Sequence, residues 1–209
     1  RQLGAAMAVN KRVDGKIGFP ENHGLYDASQ EKDSCGVGFV AHIKGEASHQ
    51  IIQDAYHINS RMDHRGGCGF EENTGDGAGI LMALPYTFFQ KIVKQAFNRS
   101  LPDPGKFAVG NIFLPQLQEE QDICRAAINE IITEEGQILI GWRDVPTDPL
   151  GADIGPAALM AQPAIKQLFI EAAENLSKQE FERKLYVIRK RFSKKLRANN
   201  ELKESKLLY

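Results

Sequence analysis

The chain has 209 residues, of which 42% are hydrophobic and 25% charged, a composition typical of one globular domain. Its formal net charge of −1 gives no overall attraction for nucleic acid, and no apolar run approaches the ~18 residues that span a bilayer. We therefore expect neither nucleic acid nor a membrane as a partner. The cysteines Cys35, Cys68 and Cys124 are far apart and form no Cys-x-x-Cys pair, which disfavours a metal site and favours free thiols in a reducing compartment.

The first third of the chain begins with a polar stretch. Residues 1–34 are interrupted by Gly and Pro and lack periodicity, which predicts an extended leader. Residues 36–43 contain β-branched and aromatic residues, which predicts a strand, and residues 44–46 predict a turn. Ser48 is expected to cap a helix with one apolar face that runs to about residue 62. The face consists of Ile51, Ala55, Ile58 and Met62.

Residues 65–79, the glycine-rich segment, contain six glycines in fifteen positions. Such density indicates a backbone that takes conformations only glycine adopts easily, or that lies very close to another group. The pattern then predicts a series of strands and helices. Strands are predicted at 80–84, 107–114 and 137–142, helices at 85–97, 118–135, 163–175 and 178–199, and a loop at 146–156. Alternation of the two element types predicts an α and β fold.

The last predicted helix is strongly basic. From residue 178 to residue 206 there are eleven Lys or Arg and four acidic residues. Two interpretations stay open. The excess forms either a solvated basic face or a docking surface for an acidic partner or another domain.

Three sequence blocks combine residues that could carry chemistry. They are Glu-Lys-Asp-Ser-Cys-Gly-Val-Gly-Phe ending at Phe39, His-Arg-Gly-Gly-Cys-Gly from His64, and Asn-Thr-Gly-Asp-Gly-Ala-Gly-Ile ending at Ile80. Gly36 and Gly38 leave space and free amides beside the thiol of Cys35. A single cysteine is more often a buried small hydrophobic residue than a nucleophile, so its position alone does not indicate catalysis.

Taken together, the three blocks resemble the class-II glutamine amidotransferase domain of the glutamate synthase family, which belongs to the N-terminal-nucleophile hydrolases. The resemblance covers residues 24–195 and includes the segments Gly-Trp-Arg-Asp-Val-Pro at 141–146 and Phe-Glu-Arg-Lys-Leu-Tyr at 181–186. It implies an α+β fold with the four-layer αββα arrangement of that family, here incomplete.

The resemblance also implies a mature enzyme that starts at Cys35, with residues 1–34 as a removed leader and residues 35–209 as part of the amidotransferase domain. A thiol with a pKa of about 8.5 is mostly protonated at neutral pH. The α-amine of the same residue, with a pKa of about 8, can act as its base once it is free. Because Ser34 precedes Cys35, we expect the chain as written to be a precursor.

The implied reaction hydrolyses glutamine to glutamate and ammonia. The family passes the ammonia to a synthase domain of the same polypeptide, where it reacts with 2-oxoglutarate at FMN and an iron–sulfur cluster. No cofactor is expected within this chain. The electron donor, NADH, NADPH or ferredoxin, is left open. The expected compartment is the cytoplasm, or the plastid if the source is a plant.

Further site residues are assigned by their positions in the blocks. Arg65 and Asp76 are expected to form an ion pair that sets loop geometry rather than to contact substrate, and Gly36 is expected to be structural. Cys68 is expected to be a packing residue. The residues that bind glutamine are unknown, and the histidines show no metal spacing.

Two motifs of the family do not occur in the 209 residues. These are the His-Ser-Arg segment, whose Arg binds the glutamine α-carboxylate, and the His-Asn-Gly segment, which forms the oxyanion hole. The chain is therefore expected to stop partway through the domain and not to hydrolyse glutamine by itself. The alternative is a truncated, non-catalytic remnant that acts at most as an interaction module. A generic cysteine protease is disfavoured because a Cys–His signature is missing.

Overall fold

The computed structural model describes residues 36–62 and 77–198, together with residues 12, 13, 16, 17, 24, 71 and 74. The described residues fall into two compact units. The first contains residues 36–62 and 77–80 and the short segments before them, and the second contains residues 71, 74 and 81–198.

The described residues of the first unit form a hairpin of two short strands and one helix. Strands β1 (Arg12–Val13) and β2 (Lys16–Ile17) pair antiparallel. Helix α1 (His49–Arg61) begins after Ser48, as predicted, although the Ser48 side chain makes no capping hydrogen bond. The predicted turn is confirmed, because Gly45 has a φ of +73° and its N–H donates to the His42 carbonyl at 2.9 Å.

The predicted strand at residues 36–43 is wrong, since residues 36–42 have neither helical nor strand structure. A strand requires a neighbouring strand for its backbone hydrogen bonds and a surface for its apolar side chains. Here Val37, Phe39 and Ile43 are each at least 88% exposed. The predicted strand at residues 80–84 is wrong as well, because these residues are also irregular and Leu81 is fully exposed.

The second unit is built on a three-stranded antiparallel sheet. Its strands are β3 (Phe107–Leu114), β4 (Ile138–Asp144) and β5 (Ala164–Glu171), in the order β3-β5-β4. The predictions of β3 and β4 are therefore confirmed, with β4 starting one residue later and ending two residues later than expected. β5 pairs with both neighbours along its length, so it holds the sheet together.

The helix predicted at residues 163–175 is wrong, because this segment contains β5. Ala, Lys, Gln, Leu and Glu within it favour a helix by intrinsic propensity. In the fold, however, Leu168 and Ile170 pack on one side of the sheet and Phe169 on the other, and all three are buried. A strand that is covered on both faces reads as a continuous apolar run, which periodicity does not separate from a helix.

Three of the four helices described in the second unit follow the predictions closely. The four are α2 (Tyr86–Phe97), α3 (Gln118–Glu134), the five-residue α4 (Pro156–Met160) and α5 (Lys178–Ala198). Only α4 was not predicted, as it lies at the end of the expected loop. Gly136, with a φ of +73°, follows the end of α3, as its sequence position indicated.

The core of the second unit has a layer on each face of the sheet. Phe89 and Val93 of α2 pack with Phe169 on one face. On the other face, α3 and α5 supply Ile128, Ile131, Ile132, Phe181 and Ile188, which pack on Leu168 and Ile170. The described fold is thus a mixed α and β structure around a small antiparallel sheet, in agreement with the predicted class at that level.

Candidate functional site

Most residues predicted for the site lie outside the described part of the chain. Cys35, Arg65 and Asp76 are not described, whereas Gly36 is. The nucleophilic role of Cys35 and the ion pair between Arg65 and Asp76 therefore stay predictions, and so does the packing role of Cys68. What the structure defines is the environment of their described neighbours.

The two glycines that follow Cys35 lie against α1. A Cβ atom on Gly36 would be 2.8 Å from Sδ of Met62, and one on Gly38 would be 2.5 Å from Cγ2 of Ile58. Neither glycine has a positive φ. Glycine is therefore needed here because the backbone approaches the helix closely, rather than because of an unusual backbone conformation.

Gly36 was expected to be structural, and Gly38 was expected to leave room beside the Cys35 thiol. What sequence reasoning missed is the partner of this contact, the helix α1. The signal was nevertheless present, since Ile58 and Met62 are two of the four residues on the predicted apolar face of α1. The segment that follows the predicted nucleophile in the sequence thus packs against α1.

Among the described residues of the glycine-rich segment, Glu71 contacts the start of α4. Its carboxylate accepts hydrogen bonds from the N–H of Ala157 at 2.7 Å and of Ala158 at 3.4 Å, both at the start of α4. It also accepts one from Oγ1 of Thr74 at 3.0 Å, and the Thr74 N–H donates to the Glu71 carbonyl at 3.1 Å. A carboxylate thus satisfies amide groups that have no partner within the helix.

Gly155 makes this arrangement sterically possible. It is buried immediately before α4, and a Cβ atom there would lie 2.2 Å from Oε2 of Glu71 and 2.8 Å from Oγ1 of Thr74. The hydrogen bond from Ala157 is the largest cause that holds the pKa of Glu71 below its ordinary value of 4.5, while desolvation opposes it. Glu71 is therefore ionised at neutral pH, and sequence analysis did not single it out.

Cys124 is unsuited to nucleophilic chemistry. It is buried in α3, and burial, with a smaller contribution from Glu120, raises the pKa of its thiol to about 11. The thiolate, which is the reactive form, is therefore almost absent at neutral pH. Cys124 lines a cavity of about 110 Å³ together with Leu114, Phe192 and Leu196.

The Gly-Trp-Arg-Asp-Val-Pro segment at 141–146 contains the second half of β4. A Cβ atom on Gly141 would lie 2.4 Å from the ring of Phe97, which packs against it. The indole N–H of Trp142 donates to Oδ1 of Asn129 at 2.9 Å, and Asp144 forms an ion pair with Lys166. These residues hold β4 between its neighbouring elements.

The basic helix α5 uses part of its charge inside the unit. Several of its cations pair with acidic residues of α3 or with Glu135, which directly follows α3, and these contacts join the two helices. The pairs are Lys184–Glu135, Arg191–Glu134, Arg191–Glu135 and Lys195–Glu130. On the exposed side, Arg189 and Lys190 lie 5.5 and 5.6 Å from the ring of Tyr186. Among the described residues of α5, the choice between a solvated face and a docking surface thus concerns the cations that make none of these ion pairs.

Metal and membrane sites were also sought in the described residues. In those residues, no group of three or more His, Cys, Asp or Glu side chains is placed to hold a metal ion. No described helix combines the length and the apolar character needed to cross a membrane.

Comparison with known protein families matches residues 35–209 to the glutamine amidotransferases class-II. The chain belongs to this family. The amidotransferase match begins at Cys35, the residue predicted as the nucleophile, and it continues through α5.

Curated proteins similar to this amidotransferase chain are glutamate synthases. The chain is 41% identical to the glutamate synthase (NADPH) large chain of Bacillus subtilis, in a match of 82% of this chain with 11% of that protein. It is 42% identical to the glutamate synthase (NADH) of Schizosaccharomyces pombe, and the match covers 84% of this chain and 8% of that protein. It is 35% identical to the ferredoxin-dependent glutamate synthase 2 of Synechocystis, and the match covers 80% of this chain and 10% of that protein. The chain thus spans about a tenth of the length of these relatives.

Proposed function

We propose that this chain forms the glutamine-hydrolysing domain of a glutamate synthase, with Cys35 as its nucleophile. The observation that carries the proposal is that the amidotransferase match begins at Cys35. The three glutamate synthases that are 35–42% identical to the chain support the choice of parent enzyme. Glutamine is the substrate that the family name implies.

The proposed maturation step removes residues 1–34. Hydrolysis of the Ser34–Cys35 bond converts an amide nitrogen into an α-amine, which can accept a proton from the thiol directly or through water. Residues 35–209 then belong to the amidotransferase domain. Cleavage at any other bond leaves this nitrogen as an amide.

The proposed reaction proceeds through a thioester. The Cys35 thiolate attacks the side-chain amide carbon of glutamine and forms a C–S bond, while the α-amine holds the thiol proton. The C–N bond then breaks, and that proton leaves with the nitrogen as ammonia. Water attacks the thioester, which releases glutamate and returns a proton to the thiol. The balance is glutamine plus water to glutamate plus ammonia.

Other residues of the chain have supporting roles in this proposal. Gly36 and Gly38 keep the segment after Cys35 packed on α1, so they limit the movement of the nucleophile. Arg65 and Asp76 would form an ion pair that orders the glycine-rich segment.

The fate of the ammonia follows the parent enzyme. It would pass to a synthase domain of the same polypeptide and react with 2-oxoglutarate, with FMN and an iron–sulfur cluster bound outside this chain. The described residues offer no metal-ligand cluster for such a group. The names of the three relatives include NADPH, NADH and ferredoxin, so these relatives differ in electron donor. We propose the cytoplasm as the compartment, or the plastid for a plant protein.

The four-layer αββα fold is also proposed for the complete domain. The family assignment supports it, and the mixed α and β structure is compatible with it. The three-stranded sheet of the second unit is covered by helices on both faces, so two facing sheets are not seen among the described residues.

The experiment that tests the function uses the intact protein that carries this chain. N-terminal sequencing of active enzyme is expected to begin at Cys35. A glutamine analogue with an electrophilic carbon is expected to label Cys35, and Cys35→Ala is expected to abolish glutamine-dependent turnover while sparing ammonia-dependent turnover. Peptide mapping that places the label on Cys68 or Cys124, or a start well upstream of Cys35, refutes the assignment.

A further inference from the structure

We propose that the outer face of α5 docks an acidic segment of the intact polypeptide that lies outside these 209 residues. This outer face consists of one tyrosine and five cationic residues, all of them exposed: Arg183, Tyr186, Arg189, Lys190, Lys194 and Arg197. The choice of occupant rests on the proposed function, because that function takes the intact protein to be a longer synthase. The face itself lies wholly within the second unit.

The side chains of α5 fall into three stripes around the helix axis, at about 100° per residue. The first stripe is apolar and buried, and it contains Phe181, Ile188 and Leu196. The second stripe is cationic and pairs with acidic residues in or directly after α3, and it contains Lys184, Arg191 and Lys195. The outer face is the third stripe and covers an arc of about 140° centred near Tyr186. The helix thus separates the cations that have acidic partners from those that face solvent.

The positive charge of the outer face is not balanced by the described residues. No ion pair between described residues involves any of its five cations, although Arg183 contributes to the electrostatic field at Glu180. Glu182 is the acidic residue within the same arc. Lys194 lies four residues after Lys190, a spacing at which like charges repel and destabilise a helix. An acidic partner would replace this repulsion with attraction, and complementary charge of this kind determines which partner binds.

Tyr186 adds an aromatic centre to the outer face. Its side chain is 56% exposed, and Cζ of Arg189 and Nζ of Lys190 lie 5.5 and 5.6 Å from the centroid of its ring. Both distances are within the range of cation–π attraction. Because the ring holds two long side chains near it, less side-chain entropy is lost when a partner binds. Tyrosine and arginine are also enriched in protein interfaces, so the composition of the face fits a protein segment.

Three observations favour a protein segment of the same polypeptide over other anionic partners. The apolar stripe of α5 is buried in the unit, so the helix cannot insert this stripe into a lipid surface. The formal net charge of the chain is −1 although α5 has nine cationic and two acidic residues, so the rest of the chain is acidic and repels a long polyanion such as nucleic acid.

The third observation is the length of the relatives. The match covers only 8–11% of the three glutamate synthases, so a parent of this kind supplies a long polypeptide beyond these residues. A segment tethered to the domain reaches an effective concentration in the millimolar range. A contact that depends mainly on surface charge is therefore strong enough to hold it.

The test couples carboxylates to lysines in the intact protein. A carbodiimide activates Asp and Glu side chains, which then form amide bonds with nearby lysine amines, and mass spectrometry identifies the joined residues. Lys190 and Lys194 are the reporters, and we expect them to join carboxylates outside residues 1–209 at low salt. The yield is expected to fall in about 1 M salt, where charges are screened beyond about 3 Å. Lys91 and Lys94, two exposed lysines of α2, are expected not to form such cross-links.

Charge reversal at two arginines leaves both reporter lysines in place. Arg183→Glu combined with Arg189→Glu is expected to lower the cross-link yield about 10-fold, because two attractions become repulsions. Lys91→Glu combined with Lys94→Glu is the matched control, since it makes the same change of charge on another exposed helix face and is expected to leave the yield unchanged. Arg183→Gln combined with Arg189→Gln is expected to produce a smaller loss, which keeps the test informative if the reversal variant folds poorly.

The outcomes separate this inference from the proposed function. If the reporter lysines join no carboxylate outside residues 1–209 at low salt, the outer face is solvated and the docking is overturned. Cross-links to a different protein overturn the choice of occupant. A yield that is unchanged by reversal at Arg183 and Arg189 shows that these cations do not hold the segment. Glutamine turnover that persists in Cys35→Ala instead overturns the proposed function, and the cross-links then still decide whether the outer face is a docking surface.

Discussion

The close packing of Gly38 on α1 leads to a direct prediction about Cys35, the proposed nucleophile. Gly38→Ala adds a Cβ atom that would lie 2.5 Å from Cγ2 of Ile58, whereas ordinary van der Waals contacts begin at 3.4 Å. Gly38 has no positive φ, so alanine is compatible with the backbone itself. The effect of the substitution therefore comes from the overlap with Ile58.

The size of the effect can be worked from this distance. The segment or the helix must shift by about 1 Å to relieve the overlap, and such overpacking costs about 1–3 kcal/mol in the free energy of unfolding. Gly38 is three residues from Cys35 in the sequence, so we expect the shift to affect the reactivity of the Cys35 thiol. A displacement of about 1 Å at the nucleophile is expected to reduce its reaction with a glutamine analogue about 100-fold.

The assay compares second-order rates of Cys35 labelling in the intact protein. Gly110→Ala is the control, because its nearest neighbour is a side-chain atom at 3.8 Å and the added methyl group makes only ordinary contact. In Gly38→Ala combined with Ile58→Ala, the branch that overlaps is removed. We expect this double variant to recover the labelling rate while its stability stays low, since the contacts of the partly buried Ile58 side chain are lost.

The reasoning is refuted if Gly38→Ala labels Cys35 at the wild-type rate. It is also refuted if the double variant labels as slowly as Gly38→Ala, because the loss would then not come from the contact with Ile58.

Three further predictions concern the second unit. Cys124, whose pKa is raised to about 11 by burial, is expected to resist a thiol reagent at neutral pH until the protein is unfolded, as mass spectrometry can show. Phe169→Ala is expected to cost about 3–5 kcal/mol in urea unfolding, since Phe169 is fully buried against two phenylalanine rings of α2. Hydrogen bonds from Lys184 and Arg191 lower the pKa of Glu135 from its ordinary value of 4.5. These bonds therefore stabilise the folded protein fully above pH 4.5, and the stabilisation is lost as the pH falls through the lowered pKa. The melting temperatures of Glu135→Gln and wild type are expected to differ at pH 7 and to converge in acid.

Each of these predictions has an outcome that contradicts it. Rapid labelling of Cys124 in the native protein shows that its surroundings open more readily than the packing implies. A loss below about 1 kcal/mol for Phe169→Ala indicates that the site collapses around the missing ring. If the difference in melting temperature between Glu135→Gln and wild type stays constant with pH, the charge of the Glu135 carboxylate does not contribute to stability.

Local sequence patterns predicted the elements that carry one clear apolar face. In α5, Phe181, Ile188 and Leu196 recur at helical spacing and are buried as expected. β5 was missed because its neighbours cover both faces, so its apolar run carries no alternation that marks a strand. Residues 36–43 show the opposite case, since their composition favours a strand but the described chain gives them no partner strand.

The candidate site was proposed only through motif resemblance. Cys35 stands out because of the residues around it, and the family match begins there. Glu71 could not be found in this way, because its partners are backbone amides of α4 and backbone groups leave no mark in the sequence. The packing of Gly38 on Ile58 likewise depends on how the chain returns after the turn at Gly45.

The position of β5 in the middle of the sheet determines the order in which a ribosome can complete the second unit. β3 and β4 do not pair with each other, and each of them pairs with β5. The last residue of β5, Glu171, follows the last residue of β4, Asp144, by 27 positions. At 5–20 residues per second, translation takes about 1–5 s to cover this distance. During that interval the nascent chain carries two edge strands without a neighbour, and folding of the sheet has to follow synthesis of β5.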